Sequence, residues 1–149
     1  MVKRRLVKVM WGMKVLVFRK GEDFFAEFKK FLKSKKIKSG FFYGLGGMTD
    51  PILAYYDLKR RKYLEKKFGG DFEVVGMTGN VALLKGEILI HCHLVLGDRK
   101  YRSFAGHLVS AKIAGTLEVH LFKFNNKLKR SYDDKTGLKL LRALSKISS

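Results

Sequence analysis

Nine residues, Ile88-Leu89-Ile90-His91-Cys92-His93-Leu94-Val95-Leu96, stand between Gly86-Glu87 and Gly97-Asp98, and they read as a strand bounded by turns. Side chains alternate across a strand, so Ile88, Ile90, Cys92, Leu94 and Leu96 share one apolar face while Leu89, His91, His93 and Val95 share the other. The two histidines are then neighbours, roughly 7 Å apart at about 3.3 Å per residue. Gly97-Asp98-Arg99-Lys100 suits a hairpin turn, which sends Tyr101 to Ala111 back antiparallel and brings His107 into reach. If the register pairs His107 with His91 or His93, all three imidazoles converge; a slip of one residue puts His107 on the other face. Three of the four histidines fall within this short segment, and neutral imidazole ligates zinc and other divalent metals. The competing reading is three polar side chains on a half-buried strand. His120, in Thr116-Leu117-Glu118-Val119-His120-Leu121-Phe122, stands apart from them. Cys92 points away from its flanking histidines and is a small core residue; as the single cysteine it can form no intramolecular disulfide and no CxxC motif.

The remaining strand signals are Leu6 to Phe18, Phe41 to Tyr43, Pro51 to Tyr56, Tyr63 to Lys67, Phe72 to Leu84, Tyr101 to Val109 and Lys112 to Phe124. Phe24, Phe25, Phe28, Phe31 and Leu32 recur at helical spacing behind Glu22 and Asp23, with lysines beyond, which predicts a helix of three to four turns ending before Gly40. That phenylalanine stripe is core. A second, short helix is expected over Thr136 to Lys146, with Thr136 as N-cap and Leu138, Leu140, Leu141 and Leu144 apolar. Gly44-Leu45-Gly46-Gly47 leads into another strand and not into a helix, so a dinucleotide-binding reading fails on context. The expected class is α+β, a mainly antiparallel sheet with one helix in the N-terminal half packed on it and a short C-terminal helix, in a single domain over residues 1–149. No apolar run approaches a membrane span and no signal-peptide pattern opens the chain, so a cytoplasmic location is expected.

Lys and Arg number 32 against 13 Asp and Glu, a formal charge of +19. Such a field attracts polyanions. Lys3, Arg4 and Arg5 lie in a basic N-terminal segment, and Lys59, Arg60, Arg61 and Lys62 form a second cluster flanked by Tyr55, Tyr56 and Tyr63, which offer stacking surfaces for bases. Between Phe68 and Asp98 the balance reverses, with Lys85 against Asp71, Glu73, Glu87 and Asp98. The histidine strand is therefore expected to lie apart from the basic loops.

The ordered set Lys20-Gly21-Glu22-Asp23, Gly44-Leu45-Gly46, Tyr55-Tyr56-Asp57, Phe72-Glu73-Val74, Gly79-Asn80, His91-Cys92-His93, Leu96-Gly97-Asp98, Gly106-His107-Leu108 and Thr116-Leu117-Glu118 resembles the prokaryotic and plant conserved (PPC) domain, also found in plant AT-hook nuclear-localised proteins. The resemblance runs over roughly residues 5–124. It implies a homotrimer, with His91, His93 and His107 matching the family's proposed metal-binding histidines, and it carries a DNA-binding label. Two departures are Ala105, where the family commonly has a second glycine, and the absence of the AT-hook Arg-Gly-Arg-Pro core.

Three functions follow as expectations. The first is a PPC-type homotrimer with a histidine site for a divalent metal, zinc by preference, and non-specific affinity for DNA or other nucleic acid. Another is a metal-dependent enzyme acting on a small substrate, with Glu73 or Glu118 as general base. A third is a purely structural oligomerisation module. No recognised catalytic signature is present.

Overall fold

The computed structural model describes residues 6–8 and 12–142, with side chains described from Gly12 onward. Its elements are β1 (Leu6–Lys8), β2 (Met13–Arg19), α1 (Phe24–Ser34), β3 (Gly40–Asp57), β4 (Lys62–Lys67), β5 (Asp71–Leu84), β6 (Glu87–Gly97), β7 (Ser103–Lys123), β8 (Lys129–Asp133) and β9 (Leu138–Leu141). The nine strands form one sheet in which β5 and β8 pair in parallel and all other ladders are antiparallel. β3 pairs β5, β5 pairs β6, β6 pairs β7 and β7 returns to β3, so these four strands form a closed circuit of ladders around the core.

Closure depends on two long, bent strands. The segments 41–43 and 51–56, expected as separate strands, are continuous in β3, and 101–109 and 112–124 join as β7. Register shifts between Gly44 and Gly46, and again between Gly46 and Met48, bend β3 without ending it. Gly46 makes this possible: its φ is +140°, and a Cβ there would meet the Thr116 carbonyl and lie 2.7 Å from the Leu117 Cα. The first expected strand, conversely, contains two elements, with β1 folded antiparallel onto β2 in the register Leu6 to Leu16.

α1 forms where the phenylalanine stripe predicts it. Asp23 caps it by accepting the Ala26 N–H at 2.8 Å, and Phe24, Phe28, Phe31 and Leu32 are buried against β6 and β7. Phe28 meets Phe18 of β2 and Phe42 of β3 edge to face, with centroids 6.0 and 5.1 Å apart, so helix and sheet share one aromatic core.

The expected C-terminal helix is not formed among the described residues. Within Thr136 to Lys146 the described residues contain β9, antiparallel to β8 in the register Asp133 to Leu138, and residues 143–149 lie outside the described part. Thr136 is not an N-cap; its N–H and hydroxyl both bond the Asp133 carboxylate, at 2.9 and 2.6 Å, closing the hairpin turn. Gly137 takes φ +75°, and its N–H donates to the Asp133 carbonyl at 2.7 Å. Tyr56 then ties this turn to the main sheet by donating to the Thr136 carbonyl at 2.7 Å. A leucine-rich segment with both periodicities takes the one that its turn chemistry and pairing partner favour.

Candidate metal centre

β6 displays the expected alternation. Cys92, Leu94 and Leu96 are buried in the core, and burial pushes the Cys92 thiol up to about 12, so it stays protonated. On the opposite face stand His91 and His93. The β6–β7 turn is held by Asp98, whose carboxylate accepts the Lys100 and Arg102 N–H groups and pairs with the Arg102 guanidinium at 2.7 Å. This turn sets Gly97 opposite Ser103, and four steps along the ladder His93 stands directly opposite His107. Ala105 sits in the ladder opposite Val95, so no second glycine is needed there.

The three imidazoles converge. Ring centroids are 4.8 Å apart for His91 and His93, 5.1 Å for His91 and His107, and 5.4 Å for His93 and His107. One ligand atom from each lies within 4.8 Å of the others, and the Nε2 atoms of His91 and His93 are 3.1 Å apart. Two imidazole nitrogens bound to one zinc at 2.0–2.1 Å stand about 3.4 Å apart at the tetrahedral angle, so this pair needs a shift of only a few tenths of an ångström. Ligation also requires neutral rings. Burial, with the charges of Arg130 and the other two histidines, lowers the His91 pKa to about 4, and burial with the His93 and Arg130 charges lowers that of His107. Nδ1 of His107 is buried without a hydrogen-bond partner, while its ring stacks on Tyr63 at 5.0 Å. In number and spacing these three imidazoles fit a divalent metal. His120 is no part of the cluster; it stacks face to face on Tyr43, centroids 4.6 Å apart.

The histidines open into a cavity of about 640 Å³. Tyr56 and Tyr63, from β3 and β4, form one wall, and Leu138, Lys139 and Leu140 of β9 another. Arg130 of β8 enters beside the histidines: Nη2 lies 3.2 Å from His91 Nδ1 and donates to Asn80 Oδ1 at 2.9 Å, and Nη1 donates to the Lys139 carbonyl at 2.7 Å. Sequence reasoning missed Arg130 and Lys139, and it noted Asn80 only within a motif. Arg130 arrives through the parallel β5–β8 pairing, which sets it beside Leu84 and leaves no local pattern in the sequence. Neither Glu73 nor Glu118 lines the cavity, so neither candidate general base borders the histidine site.

Of the residues expected to meet nucleic acid, Lys59, Arg60, Arg61 and Lys62 lie at the exposed β3–β4 hairpin; Lys3, Arg4 and Arg5 lie outside the described residues. The hairpin reaches the cavity wall through its strands and not through these four basic residues, none of which lines the cavity. Its strands carry the two tyrosines of the cavity wall, and a Cβ on Gly137 would lie 3.4 Å from the Arg61 Cβ. Tyr56 and Tyr63 pack on each other with centroids 4.8 Å apart, and Tyr63 also covers His107, whereas Tyr55 is 72% exposed.

The model of the Plants and Prokaryotes Conserved domain matches residues 12–125, which include the whole histidine unit. The chain belongs to this family. Among solved structures, a plant- and prokaryote-conserved protein from Pyrococcus horikoshii is 27% identical with a TM-score of 0.83, over 97% of this chain and 99% of that one. A metal-containing protein from Archaeoglobus fulgidus is 24% identical with a TM-score of 0.81, over 95% and 97%. A candidate DNA-binding protein from Bacteroides thetaiotaomicron is 24% identical with a TM-score of 0.88, over 93% and 96%. No curated protein matches this PPC chain. Among its described residues no helix is long and apolar enough to cross a membrane.

Proposed function

We propose that this PPC domain is a metal-binding protein in which His91, His93 and His107 hold one divalent ion, zinc by preference, in a homotrimer. The observation that carries the reading is the convergence of three imidazoles on one face of the sheet, two of them held neutral by burial and neighbouring charge. An all-nitrogen donor set suits zinc among the divalent metals, and three protein ligands leave the fourth position open. A zinc ion held there would lower the pKa of a water in that position to about 7. The metal-containing relative from Archaeoglobus fulgidus supports the same reading. Elemental analysis of untagged protein tests it: one zinc per chain is expected, falling to near zero in His93→Ala, and a zinc content unaffected by that substitution contradicts it.

Trimerisation is supported by an apolar surface on the outer side of the sheet. Tyr43, Leu45, Val75 and Val95 line one shallow depression there, with Val75 66% and Leu45 49% exposed. Contiguous apolar surface of this kind is commonly covered by a second copy of the same chain.

Non-specific DNA binding is a second reading of the same chain. The exposed Lys59–Lys62 hairpin, a charge of +19 and the candidate DNA-binding relative favour it. Phosphate contact there is compatible with an occupied histidine site.

A further inference from the structure

We propose that the cavity over the histidines binds a small organic oxyanion, a carboxylate or a phosphate, held by the guanidinium of Arg130. The proposal deepens the metal reading, because ion and anion share one cavity, but Arg130 carries it without the ion.

A partly buried arginine is ordinarily matched by a carboxylate, since removing its charge from water is costly. Arg130 has no such partner among the described residues. Its three hydrogen-bond contacts are all to neutral groups: the Lys139 carbonyl, the Asn80 side-chain oxygen and the His91 ring. A guanidinium has five N–H groups, and Nε of Arg130 is buried with no acceptor at all. The uncompensated charge is therefore built into the fold. Its neighbourhood is suited to the same ligand. Lys139 lines the cavity and no Asp or Glu does, so the local field favours an anion.

Shape and polarity narrow the class. About 640 Å³ lies within the range of small-molecule sites and is too small to admit a nucleic-acid duplex. Leu89, Leu138 and Leu140 supply apolar walls for a carbon skeleton, and the Nη1 N–H that the Lys139 carbonyl does not use remains for an oxygen of a carboxylate or phosphate. Arg130 and the three imidazoles line the same cavity, so an acid group on Arg130 would leave the rest of such a molecule beside the histidines that would hold the ion.

Isothermal titration of the full chain tests this, with malonate, inorganic phosphate and the uncharged malonamide as probes, in zinc-loaded and metal-free protein. Malonate or phosphate is expected to bind saturably at one per chain, with malonamide silent. Tighter binding of malonate assigns a carboxylate ligand, and tighter binding of phosphate assigns a phosphate. Arg130→Gln and Arg130→Lys are each expected to weaken binding at least tenfold; should the glutamine variant fail to fold, the lysine variant carries the comparison. No binding by either anion, or wild-type affinity in the folded variants, overturns the proposal. Zinc uptake without anion binding sinks the anion site alone. Arg130-dependent anion binding in a chain that takes up no zinc sinks the metal reading and leaves the anion site standing.

Discussion

Nη2 of Arg130 lies 3.2 Å from Nδ1 of His91, and because a guanidinium can only donate, that ring nitrogen accepts. The His91 proton then sits on Nε2, which donates to Nε2 of His93 at 3.1 Å. A ligating histidine ordinarily carries its proton on the nitrogen away from the metal and donates it to an acceptor. Arg130 thus holds His91 in the tautomer that opposes ligation through Nε2. Arg130→Gln offers an oxygen that can accept from Nδ1, so zinc affinity is expected to rise about tenfold, the lower end of the range for such second partners. Competition against a chromophoric chelator measures it, and a weaker site in the variant would refute this account of the Arg130–His91 contact.

The low His91 pKa makes metal-free protein acid-sensitive. In the unfolded chain the ring titrates near 6.5, in the fold only near 4, so between these values the unfolded state binds more protons and stability falls as pH falls. The shift corresponds to about 3 kcal/mol before screening, and partial exposure of the ring reduces this to roughly 1–2 kcal/mol. Urea unfolding at pH 7.5 and 4.5 should show that much extra loss in wild type relative to His91→Gln. Equal losses would contradict the assigned cause.

Leu45→Asp and Val75→Asp introduce charge into the outer apolar surface at exposed positions where the isolated fold is little affected. Sedimentation equilibrium is expected to give three times the 17.1 kDa chain mass for wild type and a monomer for the double variant. A wild-type monomer at micromolar concentrations would refute the trimer.

Replacing Arg60, Arg61 and Lys62 together by alanine should weaken binding to all duplex sequences about equally. The dependence of log affinity on log salt should become shallower by up to about 3, one step for each lost phosphate contact. Fluorescence anisotropy over a salt series reads both quantities. An unchanged slope would remove the β3–β4 hairpin from the interface.

Much of the histidine unit was legible because strand periodicity is local: the alternation from Ile88 to Leu96 separates Cys92 from His91 and His93 without any tertiary information. The placement of His107 followed from a turn at Gly97 to Lys100, although its pairing with His93 required the register that Asp98 sets. Arg130 was not legible. Its approach to His91 depends on a parallel pairing between β5 and β8, and long-range pairing leaves no periodic trace near residue 130. The leucines after Gly137 fit a helix as well as a strand, and only the Asp133–Thr136 turn and the β8 ladder decide between them. Likewise, the sequence distance between Tyr63 and His107 concealed their contact, which depends on the β3–β4 and β3–β7 ladders.

X-ray absorption at the zinc edge, on the full chain loaded with one equivalent of zinc, tests the histidine site most directly. Three imidazole nitrogens at 2.0–2.1 Å, with the imidazole scattering reduced in His107→Ala, is the result the account predicts. Zinc surrounded by oxygen alone, or a spectrum unchanged by His107→Ala, would contradict it.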